Sequence, residues 1–193
     1  MKTNKVAVAG ILLFVVAAFA LGVSLYRKHV HSAQDQTVSA EQTRLVRMHS
    51  PILGPQGAPV TIVEFFDPAC ETCRAFYPIV KSLMAKYPED VRLVIRYAPF
   101  HRGSDQVVKL LEAARRQGKY QLVLEAVLQA QPTWADHSQP NPDLTFELSR
   151  AVGLDIERAR QDMARPEMQA LLDQDLEDLK ALQVSRTPTF FVQ

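Results

Sequence analysis

At 193 residues the chain is long enough for one domain plus extensions and too short for two of full size. Apolar side chains make up 47 % of it, and 22 basic residues face 21 acidic ones, for a formal net charge of +1. Such a balance excludes a strongly basic nucleic-acid binder and gives no acidic solvating tail.

Lys2 and Lys5 precede an apolar run from Val6 to Leu25, closed by Tyr26, Arg27, Lys28 and His29. As a helix this run reaches roughly 30 Å, about the hydrocarbon thickness of a bilayer. A secretory signal has a shorter apolar region followed by a small-x-small cleavage site. Here Ala18-Phe19-Ala20 lies inside the run and Gly22-Val23-Ser24 sits at its edge. Residues 1–28 are therefore expected to be an uncleaved membrane anchor, centred on residues 6–25, in preference to a cleaved signal. Both readings export the rest of the chain. Basic residues stand on both sides of the run, so the positive-inside rule barely sets its orientation.

Residues 29–58 are polar and irregular, ending in Gly54-Pro55-Gln56-Gly57-Ala58, and predict a tether with turns, with a short helix over Glu41–Met48. Val60-Thr61-Ile62-Val63-Glu64-Phe65-Phe66 is β-branched and aromatic, bounded by Pro59 and Asp67-Pro68, and predicts a buried strand. Phe76, Ile79, Val80, Leu83 and Met84 recur at helical spacing, so a helix should begin near the cysteines and reach Lys86, kinked or broken by Pro78. Val91–Tyr97 predicts a second strand, making a right-handed βαβ unit with parallel strands.

A helical region follows. Helices are expected over Ser104–Gln117, capped by Ser104 and stopped at Gly118, over Tyr120–Ala130, from an Asp143 cap to Val152, over Asp155–Ala164, and from Pro166 to about Leu182. Pro132, Pro140 and Pro142 predict a loop around Trp134. Thr189–Val192 reads as a last strand, reached through Thr187-Pro188.

The chain has two cysteines, Cys70 and Cys73. A bridge between them closes almost no loop, so the pair has little value as a staple. At a strand-to-helix junction inside a βαβ unit it points instead to redox chemistry. Backbone N–H groups and the helix dipole favour negative charge on Cys70, the expected nucleophile. Cys73, one turn on and more buried, is expected to resolve the mixed disulfide. A zinc half-site lacks further ligands: there is no second C-x-x-C or H-x₃₋₅-H, and the histidines are scattered.

The run from Val60 to Cys73, paired with Thr187-Pro188-Thr189-Phe190-Phe191-Val192 far downstream, resembles the DsbA-like disulfide oxidoreductases. The resemblance covers about Pro59 to Gln193. It implies an α/β thioredoxin fold over 59–193, with a helical domain inserted at about 103–183. That family continues with a further strand and a closing helix, so the fold is expected to be C-terminally incomplete, with an exposed sheet edge. The resemblance further implies that Pro188 is a cis-proline facing the cysteines and that the Thr187 backbone pairs with a substrate strand. It also implies that Glu64 is a buried carboxylate shuttling a proton to and from the buried thiol. From the residues alone, Pro188 also reads as an ordinary trans proline and Glu64 as an edge-strand residue facing water.

Strongly oxidising members of that family carry Pro-His between the cysteines, where this chain has Glu71-Thr72. A carboxylate beside the thiolate, with no imidazole to donate to it, implies a weaker oxidant. His101 is read as a solvated loop histidine, Trp134 as core packing, and Arg115-Arg116 as a solvated helix face.

The expected function is a periplasmic or extracytoplasmic protein thiol–disulfide oxidoreductase, with no cofactor beyond the redox-active Cys70–Cys73 disulfide. Its expected partners are exported cysteine-containing proteins and a membrane redox-recycling partner, with no nucleic acid, and a monomer is expected. An isomerase is disfavoured, since the family's isomerases use a separate dimerisation domain. Two alternatives remain: a membrane-tethered Cu(I) carrier using the same thiolates, and a catalytically silent scaffold.

Overall fold

The structure, a computed structural model, describes residues 5–193, so residues 1–4 of the expected anchor lie outside it. It divides into two compact units, one up to Thr43 and one from Arg44 to Gln193. The first unit is helical. Helix α1 (Lys5–Leu45) contains a stretch, Gly10–His29, long and apolar enough to cross a membrane, and none of that stretch is buried.

The expected irregular tether is corrected in two respects. The segment stays helical as far as Leu45, because no proline or glycine interrupts the chain between His29 and Ser50. From Arg44 onward it belongs to the folded unit rather than preceding it. Leu45 is buried with Val46 and Ile52 packed nearby, and β1 (Ile52–Leu53) pairs antiparallel with Val94 and Leu93. The expected boundary at residue 59 thus falls inside the unit.

The predicted βαβ unit is present as β2 (Val60–Phe66), α2 (Glu71–Lys86) and β3 (Val91–Tyr97), with β2 and β3 parallel. Pro78 lies within α2 without ending it. The insert comprises α3 (Ser104–Arg116), α4 (Tyr120–Gln129), α5 (Gln131–Trp134), α6 (Leu144–Ala151), α7 (Ile156–Met163) and α8 (Pro166–Ala181). Strand β4 (Thr189–Val192) returns antiparallel to β2, giving the sheet order β1-β3-β2-β4.

Local details of the insert differ from expectation. The segment around Trp134 is the short helix α5, and Trp134 is fully buried, its Nε1–H donating to the Val127 carbonyl at 2.9 Å. Ser104 begins α3 but does not cap it; Gly103, at φ +85°, is the cap residue and the Ser104 hydroxyl is used elsewhere. Asp143 likewise makes no capping bond and accepts from Gln106 Nε2 at 2.7 Å. Asp155 does cap α7, accepting from the Arg158 N–H at 3.0 Å.

Strand alternation sorts the core onto the two sheet faces. Ile62 and Phe66 of β2, with Leu93, Ile95 and Tyr97 of β3, face α2 and the insert in one large cluster that includes both cysteines. Val63, Phe65 and Val94 face the other way, toward Leu45, Leu179 and Val184. On β3, Arg96 is fully buried and held by Asp175 and Asp178 of α8, its Nη2 lying 2.7 and 2.8 Å from them. Arg47 donates to Asp178 at 2.6 and 2.7 Å, and the His49 ring meets Asp175 at 2.7 Å. This network ties the segment after α1 to α8 and β3. Burial opposes ionisation of Asp178, but hydrogen bonds from Arg47 and Arg96 outweigh it and hold its carboxyl below the ordinary value.

Candidate functional site

Strand β2 ends at a corner built by Asp67, whose side chain is fully buried. One carboxylate oxygen accepts from the Ala69 N–H at 2.9 Å and from the Ser104 hydroxyl at 2.5 Å. The other accepts from the N–H groups of Phe100 and His101 at 2.8 and 3.0 Å and contacts His101 Nδ1 at 2.7 Å. Backbone donors with no helix or strand partner are satisfied here, and the loop before Cys70 is fastened to the loop after β3. Sequence reasoning saw Asp67-Pro68 only as a strand boundary. An aspartate three residues before a helix cap was the available signal.

Cys70 is the N-cap residue of α2, with extended backbone at φ −78° and ψ 119°. Its Sγ accepts from the Cys73 N–H at 3.5 Å and donates to the Thr187 carbonyl at 3.4 Å. The Thr187–Pro188 bond is cis. The predicted residues Cys70, Cys73, Thr187 and Pro188 therefore come together, although the last two lie more than a hundred positions downstream. Both cysteines are thiols. Cys70 is covered more than an attacking group was expected to be, at 6 % exposure against 0 % for Cys73, because the Thr187 carbonyl lies over its sulfur.

Glu64 is 2 % exposed in the central strand β2, between Ile95 on one side and Phe190 on the other. The water-facing reading of this residue is excluded. Alternation puts it on the same sheet face as Ile62 and Phe66, the face covered by α2. Its Oε1 has no hydrogen-bond partner, and burial pushes its carboxyl up to about 8. Burial likewise drives the Cys73 thiol well above its ordinary value, with the nearby Cys70 and Glu64 adding to the effect. A neutral carboxyl and a neutral thiol thus share one dry face behind Cys70.

The insert reaches this corner at two places that sequence reasoning missed. Gln131, 1 % exposed, donates through Nε2 to the carbonyls of Pro68 at 2.8 Å and Cys70 at 3.0 Å. His137 Nε2 lies 2.7 Å from Glu71 Oε1, and this hydrogen bond holds the Glu71 carboxyl below its ordinary value. Long-range folding thus brings an imidazole to Glu71 of the cysteine dipeptide, although its bond goes to that carboxylate and not to the Cys70 sulfur. His101 is not free in solvent either, being held by Asp67. Arg115 and Arg116 pair with Glu112 and Asp162, so that face is only partly solvated.

A groove of about 700 Å³ along α2 and α4, lined by Tyr77, Lys81 and Glu125 among others, includes neither cysteine. Among the described residues no group of three or more His, Cys, Asp or Glu side chains is arranged to hold a metal ion. The Cu(I) reading thus rests on the two thiols alone.

The sequence matches the family described as thioredoxin over residues 47–193. A thioredoxin-like oxidoreductase from Silicibacter pomeroyi DSS-3 is 34 % identical, with a TM-score of 0.68 covering 78 % of this chain and 84 % of that one. Oxidised BdbD from Bacillus subtilis shares the fold at 22 % identity and TM-score 0.66, covering 75 % of this chain and 81 % of that one. A curated relative, the Na(+)/H(+) antiporter NhaA of Herminiimonas arsenicoxydans, is 31 % identical over 142 residues, 74 % of this chain and 22 % of that protein. The chain spans only 21 to 30 % of the length of such curated relatives. From the matched span, the sheet order and the Cys70–Cys73 corner, the chain belongs to the thioredoxin family, with the DsbA-like arrangement of helices inserted between β3 and β4.

Proposed function

We propose that the chain is an extracytoplasmic protein thiol–disulfide oxidoreductase in which Cys70 attacks and Cys73 resolves. One observation carries the reading: the Cys70 sulfur caps α2, accepting the Cys73 N–H, while it faces the Thr187 carbonyl. A sulfur at a helix N-terminus meets unpaired donors that stabilise it as thiolate, the reactive form.

In the reducing direction the Cys70 thiolate attacks one sulfur of a target disulfide, forming a mixed disulfide and releasing the target's other sulfur as thiolate. Cys73 then loses its proton and displaces the target, leaving Cys70–Cys73 oxidised and the target as dithiol. Because burial disfavours the Cys73 thiolate, this second step needs a local base. Glu64, ionising near 8 on the same face, takes that role once its own proton has left. In the oxidising direction every step reverses. The Thr187 carbonyl, beside Cys70 and next to the edge strand β4, supplies a backbone acceptor for an extended segment of the target.

The export reading is supported by Gly10–His29, which is long and apolar enough to span a bilayer as anchor or signal. Targets would be exported cysteine-containing proteins, with a membrane redox partner resetting the cysteine pair, no cofactor beyond that pair, and a monomeric working form. The transport activity named for the curated relatives belongs to much longer proteins and is not carried over.

The test is reduction of insulin by the full chain and by Cys70→Ser, with thiol trapping in cells to read the resting state. Loss of activity in Cys70→Ser is expected. Full residual activity would sink the proposal, while mostly disulfide or mostly dithiol in the trap would separate an oxidase from a reductase.

A further inference from the structure

Glu71 follows Cys70 directly and is the first residue of α2. A carboxylate there suits the helix dipole but opposes a second negative charge on the neighbouring sulfur. The structure answers this from a distant part of the chain. His137 lies in the loop between α5 and α6, and its Nε2 meets Glu71 Oε1 at 2.7 Å. The loop is held in shape by Asp136, which accepts from the N–H groups of Ser138 and Gln139 at 2.8 and 2.9 Å, and by the Asn141 N–H, which donates to the Trp134 carbonyl at 2.7 Å.

The His137 ring also stands edge-on to the His101 ring, with centroids 5.6 Å apart, and His101 is anchored on buried Asp67. Asp67, His101, His137 and Glu71 therefore form a chain beside Ala69, two hydrogen bonds joined by one edge-on ring contact. Other charges facing His137 are few: Arg102 and Asp136 share the small cavity of about 50 Å³ beside both rings. The side chains of His137 and Glu71 are 66 % and 55 % exposed, so as a surface pair they contribute little to stability. What gives the pair an effect is the place of Glu71, directly after Cys70 at the start of α2.

We propose that His137 is a positioning residue for the thiol chemistry: by binding Glu71 it offsets the carboxylate charge beside Cys70 and eases formation of the Cys70 thiolate. The loop between α5 and α6 thus acts on the sulfur one step removed, through Glu71. The inference rests on the thiol-exchange reading, but its test does not depend on turnover.

The experiment is the pH profile of Cys70 alkylation by iodoacetamide in the reduced full chain, with Cys70→Ser as the blank. His137→Ala is expected to move the profile to higher pH, slowing the reaction near pH 6.5 on the order of threefold, the effect of half a pKa unit. In a Glu71→Gln background, where no charge needs offsetting, the same substitution should change nothing. Coincident profiles for His137→Ala and wild type would overturn the inference, as would an equal shift in the Glu71→Gln background, which marks a merely structural role. A responsive alkylation profile in a protein that fails to reduce insulin would remove the oxidoreductase reading and leave this one standing.

Discussion

The Cys70 sulfur lies 3.4 Å from the carbonyl oxygen of Thr187, 117 positions further along the chain. Between the two lie α2, β3, the insert and the turn into β4, so the site exists only once β4 has paired with β2. A target segment that competes for the Thr187 carbonyl would arrive directly over the attacking sulfur.

Removing the resolving thiol should trap that encounter. In Cys73→Ser the first exchange still occurs at Cys70, but no second sulfur displaces the target. A mixed disulfide that survives non-reducing electrophoresis and disappears with dithiothreitol is expected, and Cys70→Ser should yield none. Equal adduct from both variants would show that the sulfurs have no division of labour.

Glu64 should impose a pH dependence on stability. Its carboxyl ionises near 8 in the folded chain against an ordinary value of 4.5. Between those values the unfolded chain has released a proton that the folded chain keeps. The unfolded state thus binds fewer protons, and stability falls as pH rises through this window. Glu64→Gln, which mimics the protonated carboxyl, should abolish that component. Relative to the variant, wild type should lose up to about 1.4 kcal/mol per pH unit between pH 5 and 8 in urea unfolding. Parallel stability curves would show that Glu64 ionises as an exposed carboxyl does.

Gln131→Leu keeps the volume and removes the donor to the Pro68 and Cys70 carbonyls. The Cys70 carbonyl keeps its bond from the Arg74 N–H, and leaving the buried Pro68 carbonyl unpaired costs about 1–3 kcal/mol. The lower end is expected, because the substitution also removes the Gln131 Oε1 atom, which is buried without a partner. Insulin reduction should slow together with the loss in unfolding free energy, since both carbonyls belong to the cysteine loop. A variant as stable and as active as wild type would deny Gln131 any part in holding that loop.

Arg96→Met leaves Asp175 and Asp178 buried, with Arg44, Arg47, His49 and the Tyr97 N–H still beside them. Removing one side of a buried ion pair typically costs about 3–5 kcal/mol, and thermal unfolding should show a correspondingly large drop. Adding Asp175→Asn and Asp178→Asn should recover part of it, because the orphaned charges go with them. No recovery would mean that the loss reflects the other contacts of the arginine, whose guanidinium carbon also lies 5.5 Å from the centre of the Phe65 ring, rather than its pairing with the two aspartates.

Much of the fold was legible in the residue pattern. The β-branched run Val60–Phe66 and the spacing of Val80, Leu83 and Met84 have one economical packing, a strand and an amphipathic helix sharing a core. Pro166 and Gly118 mark ends that local backbone chemistry alone imposes. The end of α1 lies beyond the expected one because a polar stretch is not thereby irregular. The stretch before Ser50 has no helix breaker, and its apolar residues Leu45 and Val46 gain burial only when α8 and β3 are beside them.

The sequence by itself determined the reactive pair, its position at a strand-to-helix junction and the general order of elements, since these depend on neighbours a few residues apart. Only the tertiary structure decided what surrounds that pair: Asp67 gathering the corner, Gln131 holding it, His137 meeting Glu71 and Thr187 covering Cys70. Those contacts join residues tens of positions apart through single hydrogen bonds, which leave no periodic trace in composition. Hydrophobic patterning specifies which faces must meet, and the polar side chains that happen to lie along those faces are aligned only when they do.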